Sequence, residues 1–370
     1  MRKPLFSSSA EPADTSPILI GALTPLSRPG WVDAGRHLLA GLQLAADEIN
    51  EAGGIAGRPL ELVVRDTAAD PEKATAAVDE LAALGVVALT GEYHSVVARA
   101  AAAGAGALGL PFLCSSAVLD ALTEQPTKWV ARLAPAQSQG WRIYADFLLG
   151  AGHRRIAAAV DQSVYWAAGT SILRDHITRG GGTVIELEMR SLTPESLCDE
   201  LADNRATALL LLAGIPEPVG SIVKAVRNDR RLAEIMIGAP AGQPEFPEFV
   251  RLLERDSAEI PFLRYLPERL SSVGTRAEAS LRQRLGEAPS FVAFEGYDTI
   301  AVLAEIFRSR GVDRESIADS WQHVAIEGTR GQIRFSRVPG ISVWQWAWAP
   351  VQIADRAPSQ PRQFRVLRTD

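Results

Sequence analysis

Residues 45–71 read AADEINEAGGIAGRPLELVVRDTAADP, and three structural events follow from their order. The helix that ends here runs from about Gly35 to Asn50. It sets Leu38, Leu39, Leu42, Ala45, Ala46 and Ile49 on one face at helical spacing, an apolar stripe that needs a partner. Gly53 and Gly54 supply left-handed backbone positions that stop it. Leu60 to Val64 forms a strand ending at Asp66. Asp70-Pro71 then opens the next helix, with Asp as N-cap and Pro at the first helical position. Ala74, Ala77, Val78 and Leu81 are that helix's apolar face. Helix, strand and helix in direct succession are the repeating piece of a parallel α/β sheet.

The same alternation extends outward in both directions. Ile18 to Leu23 is the first strand, followed by a loop through Pro25, Ser27, Pro29, Gly30 and Trp31. Downstream come a strand at Val86 to Thr90, an Ala-rich helix at Ser95 to Gly104 and a strand at Leu110 to Cys114. The pattern restarts with a helix at Gln139 to Leu149 and strands at Ile156–Val160, Thr183–Leu187, Ala208–Leu212 and Ile235–Ile237. Two sets of βα units predict an α/β protein of two similar lobes, each a mainly parallel sheet flanked by helices. The C-terminal part departs from the alternation. Helices are expected at Arg276–Leu285 and Phe294–Ser309, strands at Gly331–Phe335 and Val343–Trp348, and a Pro-rich surface tail at Ala357–Pro361.

Composition narrows the function. A chain of 370 residues holds two domains of ordinary size, and 47% hydrophobic with 22% charged residues is a globular balance. Net charge is −6 with Lys and Arg dispersed, so no basic face for nucleic acid is expected. Cys114 and Cys198 read as buried thiols rather than a bridge, and the five histidines lack metal-ligand spacing, so neither metal nor cofactor is expected. No apolar run reaches the ~18 residues that span a membrane. Residues 1–16 are expected to be disordered. The opening MRKPLFSSSAEPADTSP has no apolar signal-peptide core, which leaves open a cytoplasmic location or an export signal removed or never included.

Catalytic motifs fail on context. Gly104-Ala105-Gly106-Ala107-Leu108-Gly109 matches a dinucleotide fingerprint but ends a helix instead of opening one. Ser221-Ile222-Val223-Lys224 lacks the companion elements of a Ser-x-x-Lys enzyme. Asp298 stands without a partner carboxylate. No enzyme is expected.

The stretch quoted first also resembles the opening of the leucine/isoleucine/valine-binding protein family: Ile49-Asn50 at a helix end, the Gly53-Gly54 turn, Gly57-Arg58-Pro59-Leu60 leading into strand two, and Asp66 closing it. The resemblance continues through Gly91–Ser95, Leu110–Leu122, Arg132–Gly140, Asp161–Tyr165 and Phe294–Asp298, and spans about Ile18 to Phe364. It implies a type I periplasmic-binding architecture, two Rossmann-like lobes around a ligand cleft. Three hinge crossings are placed at 132–137, 261–267 and 328–331. Lobe one is then 17–134 plus 262–328, and lobe two 135–261 plus 329–370.

Open α/β sheets bind ligands beyond the carboxyl ends of strands, beside helix N-termini. The loops Tyr93-His94-Ser95 and Ser115-Ser116-Ala117-Val118 qualify. By family position Ser95, Ser116 and Val118 are ligand contacts, Trp31 lies over the ligand, and Tyr165 closes from the second lobe, with Trp166 narrowing the cleft. Each also has a plainer role, Ser95 and Ser116 as caps and Trp31 and Tyr165 as packing. Val118 stands where amino-acid binders of the family carry a hydroxyl, Pro240 where they carry a carboxylate for the ammonium, and Ile215 in place of an aromatic. A buried ammonium without a carboxylate costs several kcal/mol, although Glu92, Asp161 or Glu295 are alternative partners. Gly91-x-Tyr93-x-Ser95 also resembles the amide-binding sensor branch. A neutral or weakly charged ligand is expected: an amide, an apolar carboxylate or an aromatic acid.

The resemblance therefore implies a solute-binding component of an ABC importer, monomeric or weakly dimeric, that presents its ligand to a permease. The alternative is a cytoplasmic sensor that controls a regulator protein.

Overall fold

The computed structural model describes residues 15–214 and 218–369. Local chemistry sets the elements as the residues suggest. Asp70 accepts the amides of Glu72 (2.8 Å) and Lys73 (3.4 Å) just ahead of Pro71. Gly53 and Gly54 take φ of 99° and 73° beyond the first helix, a conformation that a side chain disfavours.

The first half alternates β1 (Ile18–Thr24), α1 (Val32–Glu51), β2 (Leu60–Asp66), α2 (Pro71–Ala83), β3 (Ala88–Gly91), α3 (Ser95–Ala107), β4 (Phe112–Cys114) and β5 (Val130–Arg132). A second series follows: α4 (Gln137–Gly150), β6 (Arg155–Val160), α5 (Val164–Arg179), β7 (Thr183–Glu188), α6 (Pro194–Asp203), β8 (Ala208–Leu212), α7 (Val219–Asn228), β9 (Met236–Gly238), α8 (Pro247–Leu253) and β10 (Phe262–Arg264). The chain then forms α9 (Ser272–Leu285), α10 (Phe291–Arg310) and α11 (Arg314–Ala318). Six strands end it: β11 (Ile326–Gly328), β12 (Gly331–Ile333), β13 (Phe335–Arg337), β14 (Trp344–Trp346), β15 (Gln352–Ala357) and β16 (Gln360–Thr369).

These strands make two large sheets. One has the order β13-β14-β5-β4-β3-β1-β2, parallel except for the β13–β14 pair. The other is β7-β6-β8-β9, entirely parallel, with the antiparallel β10-β15-β16 joined to its edge by the Ala239–Phe262 bridge. The fold is thus α/β in two lobes. Helix α10 packs along α1 at very short range: a methyl group on Gly41 would strike the carbonyl of Ala293, and one on Gly296 that of Leu38.

Sheet membership corrects part of the sequence-based division. The third crossing is not at 328–331. Residues 335–346 stay with the first sheet, where Trp344 and Gln345 pair with Ala131 and Arg132, and the chain crosses only between Trp346 and Gln352. The Gln345 side chain holds the join, accepting from Arg132 Nε at 2.7 Å and donating to the carbonyl of Ala134 at 2.7 Å. Ala357–Pro361 is no tail, because Ala357 ends β15 and Gln360 begins β16. Phe364 on β16 lies under the guanidinium groups of Arg264 (4.4 Å) and Arg356 (4.5 Å). Of the segment expected to be disordered, residues 1–14 lie outside the described residues, whereas Ser16 is held through its carbonyl by Arg58 at 2.8 Å. Cys114 and Cys198 are free and buried.

One charged cluster sits at 0% side-chain exposure. Arg330 meets Asp298 at 3.0 Å and Glu295 at 3.2 Å, and packs 4.9 Å from the Trp346 ring. Asp298 also accepts the amide and hydroxyl of Thr329. Asp298 is therefore a structural anchor, not an acid or base. Replacing the cation leaves two buried carboxyl groups without a counter-charge, so Arg330→Met is expected to lower stability by about 3–5 kcal/mol. Urea denaturation measures this, and a loss below about 1 kcal/mol would mean that the carboxylates reach water.

Candidate functional site

A cavity of about 410 Å³ lies between the lobes. From the first lobe it is lined by Trp31 at the head of α1, Tyr93 to Val97 at the head of α3, Ser116 and Val118 after β4, and Phe291 at the head of α10. From the second come Asp161, Ser163, Tyr165 and Trp166 around the start of α5, and Ala241 to Gln243 after β9. Tyr265, on the second crossing, completes it. Apart from the turn between α9 and α10 that presents Phe291, the loops follow carboxyl ends of strands, where the α/β topology opens a crevice.

The head of α3 sets the polarity. Glu92 is fully buried and is consumed locally: one oxygen accepts the amides of Tyr93 (3.0 Å) and His94 (2.9 Å), the other the Thr67 hydroxyl at 2.7 Å. His94 occupies the N-cap position without a side-chain cap, so Ser95 is the first helical residue and not its own helix's cap. The first-turn amides of Ser95, Val96 and Val97, which border the cavity, have no intrahelical acceptor. The Ser95 hydroxyl accepts the amides of Val118 (3.2 Å) and Leu119 (3.3 Å). With both lone pairs engaged, its proton is what remains to offer. Across the cavity Ser163 caps α5 by accepting the amide of Trp166 at 3.0 Å.

The walls are aromatic: Trp31, Tyr93, Tyr165, Trp166, Tyr265 and Phe291. Burial pushes the phenols of Tyr93, Tyr165 and Tyr265 above their ordinary value, so they stay neutral. Among the described lining residues none is Lys or Arg, and the sole carboxylate is Asp161. One Asp161 oxygen accepts the amide of Gln162 (2.8 Å) and meets Arg190 at 3.1 Å. Among the described residues no group of three or more His, Cys, Asp or Glu is placed to hold a metal.

Of the residues singled out from sequence, Trp31, Tyr93, Ser95, Ser116, Val118 and Tyr165 are brought together on this cavity. Ile215 lies outside the described residues. Pro240 is buried but does not line the cavity. Its neighbour Ala239 is still bridged to Phe262, so the loop enters the cleft only from Ala241. Of the alternative ammonium partners, Asp161 borders the cavity, while Glu92 and Glu295 do not. Phe291, Tyr265 and Gln243 were missed. Phe291 precedes the motif at Phe294 by less than one helical turn, and Tyr265 sits on a crossing, where periodicity carries no signal.

The pattern of the family described as periplasmic binding protein matches residues 17–346, and the chain belongs to that family. Its members are solute receptors and not enzymes. Over 145 residues it is 32% identical to Leu/Ile/Val-binding protein homolog 8 of Brucella suis, which covers 39% of this chain and 36% of that protein. Over 237 residues it is 31% identical to the chemotactic signal transduction system substrate-binding protein BasB of Halobacterium salinarum, 60% of this chain and 50% of that one. The chain thus spans about a third to a half of the length of these curated relatives. The solved leucine-binding protein LivK of Thermotoga maritima superposes with a TM-score of 0.82 at 20% identity, covering 95% of this chain and 98% of that one. A solute-binding protein of an R. palustris ABC transporter, solved with benzoate, gives 0.79 at 18% identity, covering 95% and 96%.

Behind Ser116, burial pushes the Glu295 carboxyl from 4.5 up to about 7, against the opposing pull of Arg330. An acid whose pKa rises on folding stabilises the fold where it is protonated in both states. That contribution is full below about 4.5 and disappears as pH climbs to about 7. Urea midpoints at pH 5.5 and pH 8 should therefore fall with rising pH in the wild type and converge in Glu295→Gln. A variant that keeps the full wild-type decline assigns it to another group.

Proposed function

We propose that this receptor binds a small carboxylate borne on an apolar or aromatic body, as the substrate-binding component of an ABC importer. The observation that carries the reading is the head of α3, where uncapped amides and a donor-only Ser95 hydroxyl open into a cavity walled by rings. Helix N-terminal amides favour an anion, and the aromatic walls favour a flat or branched apolar group. An α-ammonium finds among the described lining residues one carboxylate, Asp161, whose Oδ1 already meets Arg190. This favours acids of the kind bound by the benzoate-complexed neighbour over free amino acids, and leaves amides, which share the acceptor oxygen, as the second choice. Ligand binding would select the closed arrangement of the lobes, a population shift that a permease reads. The chemotactic relative supports a second reading, in which a signalling partner senses the same closure.

A thermal-shift comparison of benzoate, leucine and acetamide tests the ligand class. A ligand that binds only the folded state adds ~2.7 kcal/mol of stability at a hundredfold excess over its Kd. Benzoate is expected to give the largest shift, and Ser95→Ala to reduce it. A larger shift with leucine would overturn the carboxylate-without-ammonium reading.

A further inference from the structure

The second lobe reaches into the first through one short segment after β9. Phe246, with 0% of its surface exposed, lies among four rings of the first lobe. Its ring centroid is 5.9 Å from Trp31, 5.8 Å from Tyr93, 6.4 Å from Phe291 and 6.2 Å from His37. Trp31, Tyr93 and Phe291 are walls of the cavity, whereas Phe246 stands behind them and does not border it.

The segment is fastened on both sides. On its own lobe Arg356 donates to the carbonyls of Pro244 (2.8 Å) and Glu245 (2.9 Å), and Arg264 pairs with Glu245 at 2.8 Å. Toward the first lobe the other Glu245 oxygen accepts the amide of Phe291 at 3.3 Å, a first-turn donor of α10 that Ser290 leaves uncapped. Asp33 accepts the amide of Glu248 at 3.3 Å and meets Arg251 at 3.2 Å. The Asp33–Arg251 pair, with its Arg largely exposed, holds weakly, whereas the ring cluster and the Glu245 bond to the Phe291 amide are buried and join the lobes more firmly.

We propose that Phe246 is a positioning residue of the ligand site: supplied by the second lobe, it fixes Trp31, Tyr93 and Phe291 in their ligand-ready places, and only with the lobes closed. The inference rests on the reading of the chain as a receptor that closes. When the lobes part, the three rings lose their shared neighbour, and the ligand itself must restore their order. Apparent affinity then falls in proportion to the closed fraction.

Small-angle X-ray scattering of wild type, Phe246→Leu and Phe246→Ala, without added solute, is the deciding measurement. The expected order of increasing maximum dimension is wild type, Leu, Ala, with melting curves still cooperative. Isothermal titration with benzoate should show Kd rising about tenfold if the alanine variant keeps one closed molecule in ten. Saturating benzoate should return its scattering curve to that of the wild type, a recovery that simple structural damage would not allow. Identical solute-free curves for all three proteins would overturn the proposal. So would an alanine variant that opens and stays open at saturation. Should alanine fail to fold, a leucine variant with wild-type scattering and wild-type affinity overturns it equally. Should benzoate fail to bind the wild type, the ligand assignment falls, and the solute-free curves alone decide the role of Phe246.

Discussion

The contact on which most of this molecule depends is the close approach of α1 and α10. At Gly41 and Gly296 each helix presses on a carbonyl of the other, and any side chain there would force the axes apart. That packing places the head of α1, with Trp31, and the head of α10, with Phe291, on the same side of the first sheet. One turn further along α10, Glu295 and Asp298 hold Arg330, which pins the chain shortly before β13 and β14 join the sheet edge. One helix pair thus sets both a wall of the cavity and the edge of a lobe.

The site itself divides its labour by lobe. The first supplies donors: the helix-head amides and the Ser95 proton, whose direction is set by two amides from the next loop. The second supplies mainly surface, with Tyr165 and Trp166 packed edge to face, their ring centroids 4.7 Å apart, at the head of α5. Neither half encloses a ligand alone. Polar groups from both lobes, Ser95 and Ser116 on one side and Asp161, Ser163 and Gln243 on the other, interrupt the aromatic walls.

Much of this was legible in the residues. Strong periodicity in α1, the Asp70-Pro71 start and the apolar strands announced the α/β alternation, and the Gly91–Ser95 and Leu110–Leu122 motifs led to half of the cavity. What stayed hidden has physical reasons. The strand at β14 was expected, but its pairing with β5, which carries β13 into the first sheet, is a contact across some two hundred positions. The loop after β9 was read one residue early because nothing in Ala239-Pro240-Ala241 reveals that Ala239 is still tied to Phe262. Phe246 carries no signal of its own, since an isolated aromatic near a proline is indistinguishable from a core residue until its neighbours are known.

The late third crossing has a consequence for how the molecule comes into being. The four parallel strands of the second lobe, β6 to β9, are contiguous in the chain, so they can pair as soon as they leave the ribosome. The first lobe has no such luck: its edge strands and the cation for Glu295 and Asp298 arrive more than two hundred residues after β1. Until they do, β5 presents an open strand edge and two carboxylates face an interior without their counter-charge. Completion of the first lobe therefore waits for β14, some two hundred positions beyond β5, with the β6–β9 sheet of the second lobe lying between them in the chain and that lobe's own β15 and β16 arriving last of all.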